Sequence, residues 1–185
     1  MKTERKFAEV LKNLMSEIPL DDISVSLLAK KCKVNRQTFY YHFHDIYDLL
    51  MVVFLNEKIM NLSDAKDFKK LIEKLFQYYL TNKKFIDATL DSAGKDLFEE
   101  FIFNNCYQHF MKFLITLDNN KLTTLLERKQ IARFYAFSVS NTFIYYLTNH
   151  KNKKIEALME NFNFLEEDFL SSAIKETLKI RKKSV

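Results

Sequence analysis

From Lys30 to Phe43 every formally charged side chain is a cation: Lys30, Lys31, Lys33 and Arg36. Cations at this density attract phosphate oxygens and displace counterions from a nucleic-acid duplex. Arg36, Gln37 and Tyr41 fall on the outward side of a short helix. These side-chain types can reach base edges in a major groove wide enough for one helix. A solvated basic face would produce the charge run by itself, so the polar and aromatic groups interleaved with it carry the reading.

Two short helices are needed to position these groups. Ser24 caps the first, whose apolar residues Val25, Leu28, Ala29 and Cys32 fall at helical spacing, and Asn35 caps the second, which bears Phe39 and Phe43 on one side. Val34 fills the turn between them. An earlier helix with Phe7, Val10, Leu11, Leu14 and Met15 on one face should lie across the pair, ending at Ile18 and Pro19. Leu20 to Ile23 is then a short connection in which Asp21 and Asp22 favour a turn.

The residues Leu28-Ala29, Val34-Asn35, Thr38-Phe39-Tyr40 and His42-Phe43 match, in order, the head signature of the TetR family of bacterial transcription regulators. The stretch from about Phe7 to Leu50 resembles that family's three-helix, helix-turn-helix head. The resemblance implies Phe39 in the core, phosphate contacts from Thr38, Tyr40 and His42, and base contacts from Arg36, Gln37 and Tyr41. Ser24, Lys33 and Asn35 complete the DNA-binding set. Lys33 stands where the family usually has a turn glycine, which asks a side chain to accept a positive φ or the turn to differ. Ile46 stands where a phosphate-gripping lysine is common. The run from Asn35 through Asp45-Ile46-Tyr47-Asp48-Leu49-Leu50 is similar to a subgroup that includes activators of dihydroxyacetone-kinase operons.

The whole chain fits that frame. Its 185 residues, 48% apolar, are enough for a small head and a larger body, and a single Gly and single Pro leave almost nothing to punctuate strands. The expected fold is all α: an N-terminal three-helix head and a C-terminal helical bundle with a dimerisation four-helix interface. The expected domains are 1–46, binding DNA, and 47–185, binding an effector and dimerising. A helix from Asp45 toward Met60 should begin in the head and end in the body. Net charge is +5, with a basic end at Lys179, Arg181, Lys182 and Lys183 that reads as a solvated terminus.

In the body, helices are expected over 68–79, 83–90, 95–117 and 123–149, with 153–162 and 164–180 forming one interrupted helix or two consecutive ones. A ligand pocket would draw on polar groups among aromatics: Tyr79, Asn105, Tyr107 and His109. Ala132, Ala136 and Ser140, a small-residue row beside Phe143, should admit a second copy, with Leu165, Phe169 and Ala173 on the helix that follows. A homodimer would let two heads read a palindromic duplex operator. The third partner is a small-molecule effector or, alternatively, a protein coregulator docked on the body. Repression is the family default.

Other classes have little support. Cys32 and Cys106 are too few for a disulfide framework and read as buried hydrophobes. Cys106 and His109 share a helix face but lack companion ligands, so no metal and no cofactor is expected. The chain has no glycine-rich phosphate loop, nucleophile elbow or paired-carboxylate motif, leaving a helical enzyme as the remote alternative. No apolar run approaches the roughly 20 residues of a membrane span, so the protein is expected in the cytoplasm without membrane contact.

Overall fold

Helical periodicity and side-chain caps set the elements of the computed structural model, which describes residues 2–118, 122–150, 153–162 and 168–183. They are α1 (Lys2–Met15), α2 (Val25–Lys31), α3 (Arg36–His42), α4 (Ile46–Asn56), α5 (Phe68–Thr81), α6 (Lys83–Leu90), α7 (Lys95–Leu117), α8 (Leu125–Asn149), α9 (Ile155–Glu160) and α10 (Phe169–Lys183). Single 3-10 turns lie at Leu20–Asp22 and Leu62–Asp64. No strand occurs among the described residues, and the fold is all α, as expected.

The chain divides into two compact units: Met1–Lys58 with Tyr79–Phe101, and Ile59–Tyr78 with Ile102–Val185. This differs from a division after residue 46. The first unit extends past the head because α1 and α4 supply contacts for α6 and for the start of α7. Lys12 reaches Glu57 at 2.6 Å and lies over the Phe85 ring, while Phe54 meets Phe85, Phe98 and Phe101. Helix α4 also stops at Asn56, short of Met60. Glu57 leaves it in extended backbone, with its carboxylate held by Lys12, so α4 stays wholly within the first unit.

Gly94, the chain's one glycine, lies in the turn between α6 and α7. Its φ is not positive; closeness explains it instead. A Cβ there would lie 2.5 Å from Leu50 Cδ2 and 3.5 Å from Leu20 Cδ2, so the residue lets the start of α7 seat against α4.

The second unit has an aromatic core in which Phe76 packs edge-on against Phe143 and Phe110 meets Tyr135 and Phe169. The link from α7 to α8 is fastened by the buried Asp118 carboxylate, which accepts bonds from the Leu122 amide at 2.8 Å, the Thr123 amide at 2.9 Å and the Thr123 hydroxyl. Burial pushes this carboxyl up, but the Thr123 and Leu122 bonds and the Arg128 charge outweigh it and hold it below the ordinary carboxylate range. Thr124 and Glu127 then start α8 with a reciprocal capping box.

The small-residue row is corrected by this packing. Ala132, Ala136, Ser140 and Phe143 are buried within the single chain, so the row's close approach serves α8's own neighbours and these four side chains are not offered to a second copy. Phe169 packs on Tyr135 and Phe110 and is half-buried, as is Ala173. Leu165 lies outside the described residues.

Candidate nucleic-acid interface

Helix α3 has seven residues, too few to stand alone, so its stability comes from its ends and its inner face. At its start the Asn35 side chain accepts the Thr38 amide at 2.8 Å. Ser24 does the same for α2 through the Leu27 amide at 3.1 Å. On the inner face Phe39 is fully buried, with ring centroids 5.4 Å from Phe7 and 5.4 Å from Phe43, and Phe7 lies 5.8 Å from Phe43. Two of these pairs are edge-to-face and the Phe39–Phe43 pair is tilted; rings at these distances add to the burial gain and fix the roll of α3 about its axis.

Between the two helices Lys33 takes φ 56, the strained option of the two that the missing glycine leaves. The Lys33 amide bonds to Lys30 O at 3.0 Å and the Val34 amide to Ala29 O at 3.0 Å. That bond pair closes a Schellman motif, which requires the left-handed residue at this position. The strain on a side chain there is about 1 kcal/mol. It places the Lys33 ammonium on the exposed side of the turn.

The rest of the expected DNA set sorts by what each group is already doing. Arg36, Gln37 and Tyr40 are exposed, and Tyr41 is 84% exposed. Successive steps of about 100° put these four on one arc of α3, opposite Phe39. Ser24 and Asn35 are exposed, and each uses an oxygen for capping. The Thr38 hydroxyl donates to Asn35 Oδ1 at 2.9 Å, so in the free protein its proton serves the cap and is not offered to a phosphate. His42 is half-buried, with Nδ1 3.3 Å from Glu4 of α1. Ile46 opens α4 behind the Asp45 cap and contributes no charge.

The expected ligand residues fall in both units. Tyr79 belongs to the first unit, where its hydroxyl donates to Asp87 at 3.0 Å and its ring lies under Lys83. Burial raises its phenol, and the Asp87 bond adds to that. Tyr107 stacks on Phe103, and its position on α7 is about 200° from Asn105 and from His109. Asn105 and His109, four apart, share a face. His109 is buried against Phe113, with Nδ1 lacking a hydrogen-bond partner, and burial depresses its pKa despite a bond to the Leu62 main chain. Cys106 is buried and its thiol is pushed up to about 12, so it stays protonated.

One surface escaped the sequence reading. Phe134 and Phe137 of α8 are 65% and 51% exposed, and Tyr145 is exposed on the same helix. Their spacing of three and eight residues was a signal, hidden by the apolar residues on α8's other face.

With this geometry established, the chain has recognisable relatives. Residues 9–52 match the family described as bacterial regulatory proteins, tetR family, and residues 66–168 match a transcriptional regulator C-terminal region. The HTH-type dhaKLM operon transcriptional activator DhaS of Lactococcus lactis is 25% identical over 144 residues, which cover 77% of this chain and 71% of the relative. A solved structure, the dihydroxyacetone kinase operon activator DhaS, matches with a TM-score of 0.60 at 23% identity over 96% of this chain and 97% of that one. At this identity the structural likeness speaks for the fold.

Proposed function

This chain belongs to the TetR family of DNA-binding transcriptional regulators, and we propose that it works as a homodimer on a palindromic operator. The observation that carries this reading is the exposed arc of Arg36, Gln37, Tyr40 and Tyr41, held in one roll by the phenylalanine cluster beneath it. Residues 1–46 supply the DNA-reading head, with Lys33, Tyr40 and His42 on phosphates and Arg36, Gln37 and Tyr41 on base edges. Ser24 and Asn35 offer their remaining hydrogen-bond donors to the backbone, and Thr38 acts through Asn35. Phosphate contacts of this kind fix the register, while base contacts carry the sequence.

Pairing runs through the outer face of α8, where Phe134, Phe137 and Tyr145 stand exposed. An exposed aromatic stripe on a long helix is the kind of surface that an isologous two-fold interface buries. The body, within residues 47–185, receives the regulatory signal. Its readiest acceptor is the unpartnered Nδ1 of His109, a neutral imidazole suited to a hydroxyl- or amide-bearing small molecule. Activation, as in the relative's name, is the direction of control in this reading; repression is the family's more common mode.

Arg36→Ala tests the base-reading role. On operator DNA the substitution should cost about 1 to 3 kcal/mol of affinity, with far less lost on random duplex. Equal weakening on both would remove Arg36 from base recognition.

A further inference from the structure

The reading helix ends beside a surface of opposite charge. An open groove of about 800 Å³ runs within the first unit from the end of α3, across the start of α4, to residues 93–97. Asp45, Asp48 and Asp96 line it, together with the apolar Tyr47, Met51 and Leu97, and no lysine or arginine does. His42 is committed to Glu4, and Lys95 is turned to Glu99 at 3.4 Å. The Asp48 amide donates to Asp45 at 2.8 Å and the His44 amide to Asp48 at 3.0 Å, so two of the carboxylates are fixed in place.

The groove continues into a ridge on α4. Tyr47, Met51 and Leu55 are four residues apart and all exposed, Leu55 at 74%. Together they span about 12 Å, or two helical turns.

We propose that this surface docks an amphipathic helix of a partner protein whose polar flank is cationic. A ridge of this period fits the grooves of a second helix, whose apolar residues would recur at the same spacing. The open shape suits a polymer segment better than a small molecule, which needs enclosure. The three carboxylates attract lysine or arginine flanks and repel phosphate, so a duplex would meet this surface only at its α3 edge. Tyr40, Tyr41 and His42 line the groove as well, so a docked helix competes with DNA. That competition rests on the DNA reading, whereas the docking does not.

The test titrates the full chain with a fluorescent amphipathic Leu/Lys helix, with a scrambled Leu/Lys peptide lacking an apolar face and a Leu/Glu helix as controls. The amphipathic cation should bind at least about tenfold more tightly than either control, a difference of about 1.4 kcal/mol. It should protect amides of residues 40–51 and 93–97 from hydrogen exchange. Met51→Lys and Asp96→Lys should each weaken it about tenfold. If Met51→Lys lowers the melting temperature, the exposed Asp96→Lys carries the test alone. Equal binding of the scrambled peptide, indifference to Asp96→Lys, or protection elsewhere would overturn the proposal. So would dissociation of an oligomer by Met51→Lys, because the surface would then belong to a second copy.

Discussion

Helices α3 and α8 are both capped by a side chain at their start, yet they divide their faces differently. Helix α3 sets one apolar side on three phenylalanine rings and turns its polar side outward. Helix α8 carries apolar residues on two sides, one buried through Ala132, Ala136, Ser140 and Phe143, the other exposed through Phe134, Phe137 and Tyr145. A helix with one apolar stripe has only one way to lie, so the groups available to a partner follow from it. A helix with two stripes leaves open which is core and which is interface, and only its neighbours decide. The same contrast separates the proposed DNA surface, built from polar reach, from the proposed pairing surface, built from aromatic area.

The largest effect should come from breaking the support of α3. Phe39→Ala empties the centre of the Phe7, Phe39 and Phe43 cluster and should cost about 3 to 5 kcal/mol in chemical denaturation. A loss below about 1 kcal/mol would mean that the cluster does not set the helix.

The start of α8 is fastened by polar groups, and Asp118→Ala should cost about 3 kcal/mol, since it leaves the Leu122 and Thr123 amides and Arg128 without their buried anion. The folded-state pKa of Asp118 lies below its ordinary value, so its contribution is complete above the unfolded carboxylate range. It is lost as pH falls through the lowered folded value. Melting temperatures of the parent and the variant should therefore converge in acid; a constant gap across pH would contradict the role assigned to this carboxylate.

For the outer face of α8, Phe137→Glu should weaken subunit association by about 2 kcal/mol while leaving each subunit folded. Sedimentation showing an unchanged dimer would move the interface off this face. The smallest effect is a gain. Lys33→Gly relieves the positive φ and should add up to about 1 kcal/mol of stability, reduced by the chain entropy of glycine. It should also remove one phosphate contact and flatten the salt dependence of binding.

The head was largely legible in the sequence because its signals are local. Ser24 and Asn35 announce caps, Phe39 and Phe43 mark the inner face, and a lysine at a glycine position left two options open, a strained turn or a different one. The Thr38 hydroxyl escaped because family resemblance assigns it outward, while the Asn35 oxygen at 2.9 Å holds its proton. In the body the sequence showed helices but not their partners. Ala132, Ala136 and Ser140 promise a close approach without saying whose, and the second apolar stripe on α8 blurred the choice. A lone glycine does not announce its role, and that of Gly94 depends on Leu50, more than forty residues away.

The central claim is that two copies of the α3 arc read a duplex together. Selection of genomic fragments on the purified protein measures this most directly. The account predicts an enriched palindrome whose half-sites lie about 10 base pairs apart, centre to centre, or a multiple of that spacing, lost in the Arg36→Ala protein. Recovery of fragments with no shared palindrome, or the same fragments with and without Arg36, would contradict it.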